Sequence, residues 1–211
     1  MKAFSEWRPH PWHGIDPGHE LPRLVCAYIE IGPFDTVKFE VEKDSGYLLV
    51  DRSIRSSSLC PALYGFIPRT YCGQRTARLM DGASYGDGDP LDICVITERP
   101  ISRVDILLTA RVVGGFSLLD RGRADDKIIA IIEDDPLWSG VRELAELPHA
   151  LIDRLMHYFL AYKMEPGKRS DVIIGPVYGY DHAKEVVMAA RADYEETFAG
   201  SRENVELPLC K

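Results

Sequence analysis

Strand-like rhythm runs along the chain from Leu24 to about Asp135, and helical rhythm follows Pro136. The run "LVCAYIEI" is apolar apart from Glu30 and reads as a strand. In "TVKFEVEKDSGYLLVDR", Val37, Phe39 and Val41 alternate with Lys38, Glu40 and Glu42, and "DSG" supplies turn chemistry, so a hairpin is predicted. "LDICVIT", "VDILLTARVVGGF" and "KIIAIIEDD" predict further strands, with the Gly- and Asp-containing "SLLDRGRADD" between the last two. In "LPHALIDRLMHYFLAYKME", Leu151, Leu155, Tyr158, Phe159 and Tyr162 recur at helical spacing, and Pro148 suits a first turn. "YDHAKEVVMAARADYEETFAG" predicts a second helix, with Asp181 near its start and Gly200 after its end. Residues 1–23 are rich in Pro, Gly, His and Trp and predict an irregular arm whose Trp7 and Trp12 dock on the body.

Many strands followed by two helices predict an α+β fold, an antiparallel β-barrel or sandwich with flanking helices. Parallel βαβ alternation is absent, which speaks against a Rossmann-type fold. The 211 residues suffice for one domain. Its expected parts are the arm (1–23), a mainly β-barrel portion (24–135), a helical flank (136–200) and a tail (201–211). A formal net charge of −8 argues against non-specific nucleic-acid binding, which needs excess Lys and Arg. No apolar run approaches a membrane span and the N-terminus has no apolar signal region, so no membrane partner is expected. The cysteines (Cys26, Cys60, Cys72, Cys94, Cys210) are odd in number, scattered and without a C-x-x-C pair. Free thiols in a reducing cytoplasm are the expectation.

The densest chemistry lies in "YGDGDPLDICV", where Asp87, Asp89 and Asp92 stand at the mouth of a predicted strand. Like charges so gathered resist full ionisation unless a cation sits among them. An EF-hand is excluded, because Leu91 and Asp92 occupy the fifth and sixth positions of such a loop and Gly is required at the sixth. A short oxygen-rich loop suits Mg²⁺ or Mn²⁺, and on spacing alone a solvated acidic turn suits it equally. A second acidic loop carries Asp120, Asp125 and Asp126 before Lys127; alone it reads as a hairpin turn. Converging with the first, it would hold several cations and take a bridging polyanion as substrate. Alternation sets Lys38 and Glu40 on one side of the hairpin, with Arg52 ending the partner strand after Asp51. Beside metal loops these offer phosphate-binding cations and a supporting carboxylate; alone they are a wet sheet face. Tyr64, Tyr162 and Lys163 are similarly open: core or surface residues by default, anion partners beside such a site. The six histidines form no cluster.

Together these elements resemble the family I soluble inorganic pyrophosphatases. "DGDPLD" is that family's signature, and Glu30 in "YIEI", Lys38 and Glu40 in "VKFE", "VDR" ending at Arg52, "YGFIP" with Tyr64, Asp120, Asp125, Lys127 and "YK" at 162–163 follow in its order. The resemblance covers roughly residues 24–190. It implies a five-stranded OB-like antiparallel β-barrel with flanking α-helices, hydrolysing pyrophosphate to two phosphates with several Mg²⁺ ions. It also implies a homo-oligomer. By motif position Asp87, Asp92 and Asp125 resemble the main metal ligands, and Asp120 a ligand for ions arriving with the substrate. Asp89 resembles the carboxylate that takes a proton from the metal-activated water. Lys38, Arg52, Lys127, Tyr162 and Lys163 match phosphate binders, Tyr64 a group orienting the nucleophile, and Glu30 and Glu40 carboxylates supporting metal-bound water. Cys60 departs from the pattern, standing where many bacterial relatives have a tyrosine. The segment from Arg69 to Gly86 is also longer than in compact bacterial enzymes. Other readings are a relative acting on short polyphosphates and a non-catalytic phosphate- or nucleotide-binding OB domain.

Overall fold

The computed structural model describes residues 8–164 and 170–198. Trp7, Gly200, Cys210 and the expected tail lie outside them. In chain order the elements are β1 (Leu24–Ile31), β2 (Val37–Val41), β3 (Leu48–Ser53), β4 (Leu63–Phe66), α1 (Gln74–Arg78), β5 (Tyr85–Gly86), β6 (Asp92–Ile96), β7 (Ile106–Asp120), β8 (Arg123–Ala124), β9 (Lys127–Ile132), α2 (His149–Ala161), β10 (Val172–Gly179) and α3 (Tyr180–Thr197). β1, β4, β6, β9 and β7 pair in that order and β7 returns to β1, closing the expected five-stranded barrel. Closure depends on the length of β7. Its first half pairs with β1, its middle with β9 and its end with β10 and β8, with a bulge at Val112–Gly114 that bends it. Every junction of the ring is antiparallel except one, β6 with β9.

Strand alternation divides the core. Val25, Ala27 and Ile29 of β1, Leu63 of β4, Ile93 and Val95 of β6, Ala110 and Val112 of β7 and Ile128 and Ala130 of β9 form one cluster, to which α3 adds Ala183, Val186, Val187 and Ala190. Residues of opposite parity, including Tyr64, Cys94, Ile129 and Ile131, face α2 through Leu155, Tyr158, Phe159 and Tyr162. Gly65 is dictated by the crossing of β1 and β4, because a Cβ there would stand 1.9 Å from the Tyr28 carbonyl oxygen.

The hairpin forms as expected, β2 against β3 with Lys38 opposite Arg52, and is a separate two-stranded sheet. Trp12 of the arm docks, 4% exposed, against Tyr28, Val41, Phe66 and Tyr194. α2 starts directly after Pro148, and α3 has Gly179 as its N-cap and Asp181 in its first turn, near its start as expected. The stretch read as purely helical also contains β10. Gly175 and Pro176 interrupt its alternation, and its register shifts between Ile174 and Val177. The long 69–86 segment folds into α1 and β5. The Asp193 carboxylate of α3 anchors it by accepting from the backbone N–H of Gly73 (3.1 Å) and Arg75 (2.9 Å).

Candidate active site

The parallel junction decides where the chemistry lies. Asp92 and Lys127 open β6 and β9 in register, and Tyr64 stands two residues before the end of β4 on the same face. All three point to the α2 side of the barrel wall. The Tyr64 hydroxyl donates to Asp92 Oδ2 at 2.6 Å. Lys127, 1% exposed at its side chain, donates to both Asp92 Oδ2 and Asp125 Oδ1. Its ammonium also lies 5.1 Å from the Phe159 ring centroid, so α2 forms its apolar backing.

A cleft between the β2–β3 hairpin, α2 and the acidic loop collects Glu30, Lys38, Glu40, Tyr64, Asp87, Asp89, Asp92, Asp125, Lys127, Tyr162 and Lys163. Two expected site residues stand behind this lining. Asp120 accepts from Lys163 Nζ at 2.7 Å, and Arg52 lies with its guanidinium 5.5 Å from the Tyr162 ring centroid. The second acidic loop is both things the sequence allowed. Arg121 and Gly122, with φ of 52° and 80°, make a tight turn joining β7 to β8, and the chain past the turn delivers Asp125 to the cleft. On the hairpin, Lys38 Nζ donates to Glu40 Oε2 (2.6 Å) and Asp51 Oδ2 (2.9 Å), as same-side alternation requires. Arg52 Nη1 donates to Asp51 Oδ2 at 2.6 Å, while its Nη2 is buried with no partner among the described residues. A buried, unpaired guanidinium donor beside an open cleft is a place for an anionic oxygen.

The carboxylates feel one another. Burial, then the charges of Asp125, Asp89 and Asp92, pushes Asp87 up to about 8. Burial raises Asp125 as well, against the pull of Lys127. Glu30 is pushed up to about 8 by burial, opposed by its 2.7 Å hydrogen bond from the Val41 N–H. For Lys127, burial works downward, and Asp125 and Asp92 outweigh it and raise it well above the ordinary range.

Among the described residues no three His, Cys, Asp or Glu groups are drawn together tightly enough to enclose a metal ion. The ammonium of Lys127 lies between two of the candidate ligands. The donor set nevertheless fits a hard divalent cation: it offers carboxylate oxygens only, and the upward push on Asp87 and Asp125 is the penalty for massing buried negative charge, which a cation relieves.

Several residues of the cleft were not expected at the site from the sequence. Lys43 pairs with Asp89 from the hairpin turn, where periodicity says nothing. Trp12, Val41 and Phe66 also line it. Asp126 faces away, accepting from the Tyr178 hydroxyl at 2.7 Å, and burial pushes it up to about 7.

Comparison with known proteins agrees with this geometry. Residues 27–195 match the inorganic pyrophosphatase family. The chain is 42% identical over 206 residues to an inorganic pyrophosphatase of Chlamydia caviae, spanning 93% of this chain and 95% of that one. It is 43% identical over 199 residues to one of Chlamydia muridarum, spanning 90% and 95%. The crystal structure of inorganic pyrophosphatase from Thermus thermophilus superposes with a TM-score of 0.74 at 26% identity, covering 88% of this chain and 99% of that one. This chain belongs to the inorganic pyrophosphatase family.

Proposed function

We propose that this chain hydrolyses inorganic pyrophosphate to two phosphates with a divalent cation as cofactor, Mg²⁺ in preference. The observation that carries the reading is the facing of Asp87, Asp92 and Asp125 against Lys38, Lys127, Tyr162 and Lys163 across one cleft. Pyrophosphate is a highly charged anhydride, and attack by water needs that charge neutralised and a proton removed. A divalent cation bound there would neutralise that charge and lower the pKa of the attacking water towards the neutral range.

The chain's own residues do the rest. Asp87, Asp92 and Asp125 would hold the cation, and Asp120 would be a ligand for ions that come with the substrate. Lys38, Arg52, Lys127, Tyr162 and Lys163 bind the phosphate oxygens and stabilise the charge that moves onto the leaving phosphate. The unpaired Nη2 of Arg52 supports its part in this. Tyr64 orients the nucleophile through its hydrogen bond to Asp92. Asp89 accepts the proton of the water at Oδ2, its Oδ1 being held by Lys43. Glu30 and Glu40 steady the surrounding water from the hairpin side.

The test is phosphate release from pyrophosphate with Mg²⁺ and with EDTA. Release that needs the metal and is lost in Asp92→Asn is expected, and no release with Mg²⁺ or Mn²⁺ sinks the reading. A panel with tripolyphosphate and ATP should show strong preference for pyrophosphate. No helix among the described residues is long and apolar enough to cross a membrane. We further propose a cytoplasmic location, supported by the free buried thiols of Cys60, Cys72 and Cys94. The family resemblance leads us to propose a homo-oligomer as well.

A further inference from the structure

The N-terminal arm reaches the acidic loop along two routes. The Trp12 indole N–H donates to the Thr70 carbonyl at 2.8 Å, and the Thr70 hydroxyl accepts from the Leu91 N–H at 2.9 Å, inside "DGDPLD". The second route passes through His10. Its Nε2 lies 3.1 Å from the Lys43 carbonyl oxygen, which can only accept, so Nε2 carries the proton and donates. Its Nδ1 is then the acceptor, receiving the N–H of Trp12 (3.1 Å) and of His13 (3.3 Å). One neutral imidazole therefore fastens the arm's turn to the hairpin's turn.

Lys43 is fixed at its main chain, and its Nζ donates to Asp89 Oδ1. The two side chains are 49% and 41% exposed. An ordinary surface pair of that exposure holds no geometry, because a long lysine loses entropy on being confined. Here both ends are confined by other means. The Asp89 carbonyl accepts from the Cys72 N–H at 2.8 Å, and the Asp89 N–H donates to Asp87 Oδ1 at 3.0 Å. The Lys43 turn is pressed onto the arm at Gly46 (φ 72°), where an added Cβ would stand 2.8 Å from Pro11 Cδ.

We propose that Lys43 is a positioning residue for Asp89 and that His10 acts through Lys43, so that the N-terminal arm belongs to the catalytic apparatus. The inference rests on the reading of Asp89 as proton acceptor. Lys43 engages one carboxylate oxygen, Oδ1, of a residue that lines the cleft. Proton transfer depends steeply on such placement, and a misplacement near 1 Å costs about a hundredfold in rate.

The test is steady-state pyrophosphate hydrolysis with saturating Mg²⁺ by Lys43→Met, Lys43→Arg, His10→Ala, the His10→Ala/Lys43→Met double variant and Asp89→Asn, each with a thermal melt. Lys43→Met should lower kcat by about ten- to a hundredfold with KM within about threefold, at an unchanged melting temperature. Lys43→Arg should recover most of kcat. His10→Ala should lower kcat less, and the double variant should match Lys43→Met, as coupled residues require. The proposal is overturned if Lys43→Met keeps its kcat, or if KM rises alone, which would make Lys43 a substrate binder. Additive losses in the double variant overturn the part assigned to His10. An active Asp89→Asn removes the reading of Asp89 and this inference with it. An inactive Asp89→Asn beside a fully active Lys43→Met overturns only the inference.

Discussion

Lys127→Met separates the electrostatic work of the site from its packing. Methionine keeps nearly the length and volume of the lysine stem, so little cavity opens, and the ammonium's contacts over the Phe159 and Tyr64 rings go with the charge. What is lost is the ammonium between Asp92 and Asp125, whose side chains are 19% and 8% exposed. Removing one member of a buried ionic cluster leaves uncompensated charge and costs about 3–5 kcal/mol. The control is Lys163→Met. Its pair with Asp120 is more exposed, at 33% and 24%, and its loss should cost about 1 kcal/mol or less. Urea unfolding in EDTA at neutral pH should therefore separate the two variants by about 2–4 kcal/mol. Adding Mg²⁺ should narrow the gap, because a cation on the same carboxylates replaces the missing charge. A ligand at a hundred times its Kd contributes about 2.7 kcal/mol to a native state it alone binds. The Mg²⁺-dependent gain should accordingly be larger in Lys127→Met than in the wild type. If the two variants unfold together in EDTA, or Mg²⁺ stabilises both proteins equally, Lys127 and the metal do not share the Asp92–Asp125 site.

Other outcomes follow from single contacts. Asp193→Asn removes the charged acceptor of the Gly73 and Arg75 N–H groups and should cost about 2–3 kcal/mol in urea unfolding, with kcat reduced as well because Cys72 carries the same segment onto Asp89. Phe159→Ala, removing a fully buried ring packed on Tyr64 and Phe116, should cost about 3–5 kcal/mol by the same assay. Burial, then His10 and Arg69, lowers His13 from 6.5 to about 4. Between those values the unfolded chain binds a proton that the folded one refuses, so stability is full above about 6.5 and falls as pH drops towards 4. The ring is only half buried, which limits the loss to about 1 kcal/mol, and His13→Gln should flatten that limb in melts taken from pH 7 to pH 4.

How much of this was legible in the chain depended on the range over which each signal acts. "DGDPLD" gathers its charge within six residues, so the acidic loop was visible without a fold. Alternation on β2 set Lys38 beside Glu40, and the 2.6 Å contact between them bears that out. Helical spacing likewise placed Leu155, Tyr158 and Phe159 on one face of α2, where all three are fully buried. Periodicity failed where the chain is short or interrupted. The five residues of α1 complete little more than one turn, and Gly175 and Pro176 hid β10. It failed for a different reason at Lys127, whose burial between two carboxylates requires β6 and β9 to start side by side. Neither strand's own pattern states that they run parallel; that follows from closure of the ring, which the length and bend of β7 make possible. Lys43 is a third kind of omission. It sits in a turn, where no period constrains a side chain, and what fixes it is the arm, through His10, 33 residues earlier. The acidic loop is thus a local property of the sequence. The placement of Asp89, the proposed proton acceptor, is a long-range one, and substitution in the arm should reveal it where substitution in the motif cannot.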